Sequence, residues 1–153
     1  MYKRQVYRDR TPLYEAAYQG HTEIISMLLK VDGIDVNKVD RYGRTPLFVA
    51  SWYDHKDIVS MLLKVKGIDV NKKPAYTRKT PLYVAAWKGH KEIVSMLLEV
   101  KDIDVKSLID KDCVNLVNKC GETLLWRAVY TGDKEIVSML LKVEDIYVNT
   151  CLL

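Results

Sequence analysis

No segment of the 153 residues is built for lipid or for export. After Met1 the chain runs through Tyr2, Lys3, Arg4 and on to Arg10 without the unbroken apolar stretch of a secretion signal. No later segment approaches the roughly 20 apolar residues needed to cross a bilayer. Cysteine is scarce, and Cys113, Cys120 and Cys151 form no even-numbered disulfide framework, which fits a reducing compartment. A cytoplasmic protein is therefore expected; the nucleus, or export as an effector without an ordinary signal, also fits. An excess of one charge is lacking too. The formal net charge is +4, with Lys and Arg interleaved among Asp and Glu, which leaves nucleic-acid binding by basic turn residues as the less favoured alternative.

Machinery for chemistry is equally sparse. There is no Gly-rich phosphate loop, zinc spacing or calcium loop, and Cys113 and Cys120 have neither a histidine nor a second cysteine pair to complete a zinc site. The expectation is a non-enzyme with no catalytic residue, no metal and no cofactor.

What the chain does have is a hydrophobic content of 48% beside 29% charged residues, enough for one domain with a sizeable core, and four copies of itself. The stretch Gly20-His21-Thr22-Glu23-Ile24-Ile25-Ser26-Met27-Leu28-Leu29 is echoed from Asp54, Gly89 and Gly132, at intervals of 34, 35 and 43 residues. Such a period marks helical solenoids, and the third interval carries an insertion. Ahead of each copy lies a second block, Thr11-Pro12-Leu13-Tyr14-Glu15-Ala16-Ala17 and its counterparts from Thr45, Thr80 and Thr123. Thr followed by Pro predicts a capped, sharply started helix, and Gly20, Gly89 and Gly132 suit a left-handed turn into a second helix. Asp54 meets that turn less comfortably. Ile24, Ile25, Leu28 and Leu29 form an apolar stripe that one helical pair cannot bury alone, so the repeats must stack.

These blocks resemble ankyrin repeats: a turn, Thr-Pro-Leu, a short helix ending in Ala-Ala, a Gly-His hinge, a helix ending in Leu-Leu, and an Asp-Val-Asn loop. The resemblance covers about residues 6 to 149. It implies an all-α ankyrin-repeat solenoid of stacked helix-turn-helix units, about eight helices in all, with inter-repeat β-turn loops. Residues 1–153 then form one domain, with repeats at about 6–39, 40–74, 75–117 with an insertion, and 118–153. It further implies a scaffold or adaptor module that binds a protein or peptide in a concave groove.

Columns that repeat unchanged read as structure. His21, His55 and His90 follow the hinge, Asp133 replaces them in repeat four, and no histidine lies elsewhere to serve as a base. Glu23, Asp57, Glu92 and Glu135 suit the positive end of a helix dipole. The Ser and Met columns of the second helix, and Asp35-Val36-Asn37 with Asp69-Val70-Asn71, read as packing and turn chemistry.

Varying columns locate the candidate site. At the end of each first helix come Tyr18, Trp52, Trp87 and Tyr130, followed by Gln19, Tyr53, Lys88 and Thr131, positions that the resemblance places at the groove. The turns ahead of Thr add Arg41, Tyr42 and Arg44, then Tyr76, Thr77 and Lys79. Exposed Trp and Tyr flanked by Arg have the composition of interface hot spots, suited to a partner segment with acidic and apolar residues. The competing reading is that these rings stack on one another across repeats. A second row, Tyr14, Phe48, Tyr83 and Trp126, is expected to pack inside.

Three departures stand out. The excess between Leu98 and Thr123 can be aligned through Ile103-Asp104-Val105 or through Cys113-Val114-Asn115, and it carries Leu108, Ile109 and Leu116 as a partner-specific finger or a tolerated insertion. Arg78 stands where Gly43 and Gly121 occupy a turn, which predicts a remodelled turn in repeat three. Both ends lack the polar outer face of a terminal repeat, which raises self-association through the chain ends as an alternative use.

Overall fold

The first helix of repeats one to three starts by one local device. The hydroxyls of Thr11, Thr45 and Thr80 accept from the amides of Tyr14, Phe48 and Tyr83, each at 3.1 Å. A proline follows every cap, at a position whose amide would have no helical partner. In the computed structural model, which describes residues 9–77, 79–105 and 124–142, the described residues form helices and no strand. The helices are α1 (Pro12–Gln19), α2 (Thr22–Leu28), α3 (Pro46–Trp52), α4 (Lys56–Leu63), α5 (Pro81–Lys88), α6 (Lys91–Leu98), α7 (Leu124–Tyr130) and α8 (Lys134–Leu141).

Each hinge needs positive φ. Gly20 and Gly89 adopt +79° and +82°, and Asp54 takes the same region at +62°, a conformation that costs an L-residue about 1–2 kcal/mol. The odd hinge of repeat two is therefore kept without a glycine, as its sequence foreshadows.

First helices lie side by side in the order α1, α3, α5, α7, and second helices in the order α2, α4, α6, α8, giving a two-layer, all-α solenoid. Leu13, Leu47 and Leu82 from one layer and Ile58, Leu62, Ile93 and Leu97 from the other are at most 1% exposed. Burying each such side chain contributes roughly 1.5–3 kcal/mol. The apolar stripes of the inner second helices, α4 and α6, are thus covered by the neighbouring repeats, which is why the units are stable only as a stack.

Loops are tied across repeats by asparagine. The Asn37 side-chain amide donates to the Gly67 carbonyl at 2.7 Å, and its oxygen accepts from the Asp69 amide at 2.8 Å. Asn71 repeats both bonds one repeat on, to the Asp102 carbonyl at 2.7 Å and from the Asp104 amide at 2.8 Å. This decides between the two alignments of the insertion. Asp104 is the equivalent of Asp69, so Ile103-Asp104-Val105 is the loop motif of repeat three and the excess follows it, between repeats three and four. The finger residues Leu108, Ile109 and Leu116, the three cysteines and the Arg78 turn lie outside the described residues.

Candidate functional site

The histidine column carries out a joining task. His55 Nε2 lies 3.3 Å from the carbonyl oxygen of Tyr18, and His90 Nε2 lies 3.2 Å from that of Trp52. A carbonyl only accepts, so Nε2 of each ring is the donor and takes up a helix-end acceptor from the preceding repeat. At the third joint the histidine is replaced by Asp133, which caps its own helix by accepting from the Ile136 amide at 3.3 Å. Arg127 supplies the missing donor, its Nε reaching the Trp87 carbonyl at 2.8 Å. The sequence-stretch around Arg127 gives no local sign of that substitution.

The carbonyls tied down in this way belong to Tyr18, Trp52 and Trp87, the residues whose side chains begin the candidate surface. Trp52 and Trp87 are half-buried and stack within their own helices, on Phe48 at 6.3 Å and Tyr83 at 6.0 Å. Cations from the next repeat lie over them: the Lys88 ammonium is 4.6 Å from the Trp52 ring and the Arg127 guanidinium 4.2 Å from Trp87. Each such contact is worth on the order of 0.5–2 kcal/mol. Tyr18 and Tyr53 are the pair that meets ring to ring across a joint, edge-on at 5.0 Å with their hydroxyls 3.5 Å apart. The hydrogen bond to Tyr18, helped by burial, raises the Tyr53 phenol above its ordinary range and keeps it neutral. The row of end-of-helix aromatics is thus linked across every joint, twice through a cation and once directly.

Turn residues lie over the same face. Arg10 sits 4.8 Å from the Tyr18 ring, and Lys79 sits 5.4 Å from Tyr83 and 5.7 Å from Trp87. Arg41 and Arg44 flank Tyr42 at 4.6 and 4.9 Å, and Arg41 also donates to the Tyr42 hydroxyl. Arg44 is committed elsewhere as well. Its Nε and Nη2 bond Asp40 Oδ2 at 2.9 and 2.6 Å, while Asp40 also accepts from the Tyr14 hydroxyl and from the amides of Tyr42 and Arg44, all at 2.9 Å. Asp40 is only 4% exposed. Burial alone would raise its carboxyl, but the bonds from Arg44 and Tyr14 outweigh that and hold it below the usual carboxylate range. Burial likewise raises the Tyr14 phenol well above its ordinary value, so it remains a donor.

Asp40 went unnoticed in the sequence because its partner Tyr14 lies 26 residues away. The inner row is buried at Tyr14, Phe48 and Tyr83, as its position suggests; Trp126 departs from it at 46% exposure and stacks on Tyr130 at 5.0 Å. Among the candidate residues, Arg41, Tyr42, Tyr53, Lys88 and Tyr130 are exposed, whereas Tyr18, Arg44, Trp52, Lys79 and Trp87 are half-buried. The competing reading, rings stacked on rings across repeats, describes the Tyr18–Tyr53 pair; the tryptophans are instead held by their own helices and the next repeat's cations.

No helix among the described residues is long and apolar enough to cross a membrane, and no cluster of His, Cys, Asp and Glu among them could hold a metal. Residues 2–74 match the family model described as Ankyrin repeats (3 copies), and residues 77–119 match the one described as Ankyrin repeat. No curated protein matches the chain. With capped first helices, hinges and cross-repeat ties in place, the chain belongs to the ankyrin repeat family, whose members are in general non-enzymatic modules for protein–protein interaction.

Proposed function

We propose that this chain is a scaffold or adaptor module that binds a partner protein or peptide along the face formed by the first-helix ends and the turns. The observation that carries the reading is the charge and aromatic character of that face. Arg10, Arg41, Lys79, Lys88 and Arg127 all lie against aromatic rings. Two carboxylates beside them are engaged, Asp40 by Arg44 and Glu15 by Arg10 at 3.0 Å. The surface therefore offers rigid rings beside the cations Arg41, Lys88 and Arg127, which favours a partner segment carrying acidic and apolar side chains. Tyr42 and Tyr53, 42% and 44% exposed, are the anchors of this reading, because their rings remain open after the intramolecular contacts are made.

The test is affinity capture from cell extract, comparing the wild-type chain with a Tyr42→Ser, Tyr53→Ser variant whose helical circular dichroism is unchanged. Hot-spot aromatics are worth about 2 kcal/mol or more, so specific partners should be retained at least about tenfold less well. Partners that bind the variant equally place recognition on another surface and overturn the reading.

A further inference from the structure

The two ends of the described stack are the two halves of one joint. Inside the stack the downstream side of each repeat is built from Ala17, Ser51 and Ala86 on the first helix and Ile25, Val59 and Val94 on the second, all at most 5% exposed. Their equivalents in repeat four are Val129, which is 62% exposed, and Val137, which is half-buried. On the upstream side Ile58, Ile93 and Ile136 are at most 1% exposed, but the equivalent Ile24 of repeat one is 45% exposed, next to Met27 and Val31, which are exposed as well. Among the described residues, one end thus lacks what lies downstream of an inner repeat, and the other lacks what lies upstream of one.

The polar positions are complementary in the same register. Lys56 pairs with Glu92 at 2.8 Å and Lys91 with Glu135 at 2.8 Å, each time the first residue of a second helix with an acid of the following repeat. The next pair in that ladder would be Lys134 with the equivalent acid of a following repeat, a position that repeat one fills with Glu23. The histidine ties, from His55 on Tyr18 and His90 on Trp52, would continue in the same register with the equivalent His21 of a following repeat on the Tyr130 carbonyl. Among the described residues Glu23, His21 and Lys134 form no side-chain hydrogen bond or ion pair. The seat for an incoming histidine is also open. A Cβ on Gly20 would lie 2.7 Å from the His55 ring, whereas one on Gly132 would meet nothing within 4 Å. Gly132 lines an apolar pocket of about 530 Å³ with Val129, Val137 and Leu141.

We propose that a second copy of this chain occupies this face, its repeat one stacking on repeat four of the first copy in the manner of the internal joints. Glu23 of the incoming copy then pairs with Lys134, its His21 takes up the Tyr130 carbonyl, and its Ile24 covers Val137. The contact uses different surfaces on the two copies, so it is heterologous and continues beyond a dimer wherever the rotation does not close a ring. Val129 is bulkier than Ala17, Ser51 or Ala86, so this joint is less closely packed than the internal ones and depends on concentration.

Sedimentation velocity of the 153-residue chain tests this directly. Its average mass should rise with concentration and pass that of a dimer. Ile24→Glu disables one end and Val137→Glu the other; each variant alone should be monomeric, while their equimolar mixture should form a dimer and stop there. Both positions are partly open to solvent, and circular dichroism establishes that the variants fold. Should either fail to do so, Lys134→Glu and Glu23→Lys take their place, each weakening association about fivefold or more and together restoring it. A wild-type chain that stays monomeric at every concentration, the outcome if residues 143–153 or an unrelated partner cover the face, overturns the proposal. So does a dimer that persists in either single variant, or a mixture that remains monomeric.

Discussion

Helices α6 and α8 have the same eight residues, Lys-Glu-Ile-Val-Ser-Met-Leu-Leu, and different surroundings. In α6, Ile93, Val94 and Leu97 are fully buried; in α8, Ile136 and Leu140 are buried but Val137 is only half covered and Leu141 is 51% exposed. The octapeptide specifies an amphipathic helix, and the neighbours decide how much of its stripe leaves water. Burial in a solenoid is therefore a property of the joint, and identical sequence carries different energy at different places in the stack.

The sharpest way to break this contrast is at the first joint, where the acceptor Asp40 holds Tyr14 of one repeat against Arg44 of the next. Asp40→Ala should cost about 3–5 kcal/mol in urea unfolding, because it strands a buried hydroxyl and removes the partner of a cation. The pH dependence has a definite sign. The folded carboxyl lies below its ordinary value of 3.8, so the stability it contributes is present above about that pH and is lost as pH falls through the lower folded value. Asp40→Asn should flatten that acid limb.

A second comparison uses the hinges. Gly20→Ala meets both positive φ and the His55 ring, whereas Gly132→Ala meets only the backbone strain. The first should cost about 3 kcal/mol and the second about 1–2 kcal/mol, read from thermal midpoints. Equal losses would mean that the histidine ring yields freely and that the joint is looser than its geometry.

The smallest effect sharpens the octapeptide comparison itself. Val94→Ala should cost about 2 kcal/mol and Val137→Ala less than about 1 kcal/mol, measured in parallel by denaturant unfolding. If association covers Val137 at high protein concentration, the gap should narrow there.

Much of this architecture is legible in the sequence because it is written in columns. Thr11, Thr45 and Thr80 announce helix starts, the histidines announce a repeated structural task, and the Leu-Leu stripes require stacking. Features that depend on a residue one repeat away are not legible. The place of the insertion follows from the reach of Asn71 to Asp102 and Asp104, and no pattern around Cys113 could reveal it. The tryptophans read as exposed anchors because Lys88 and Arg127, which lie over them, belong to the following repeat. The role of Arg127 was hidden for the same reason, being a replacement for a lost histidine from a different helix.

That replacement has a mechanical consequence. The first two joints are each tied in both layers of the molecule, by a histidine near the hinges and by an asparagine between the loops. At the third joint Lys106 follows Val105 where Asn37 and Asn71 stand in the earlier loops, and the tie at the hinge is made by the longer lever of Arg127. Pulled along its axis, the chain is a row of springs in series, and at the third joint the hinge tie hangs on a longer, more flexible side chain than histidine.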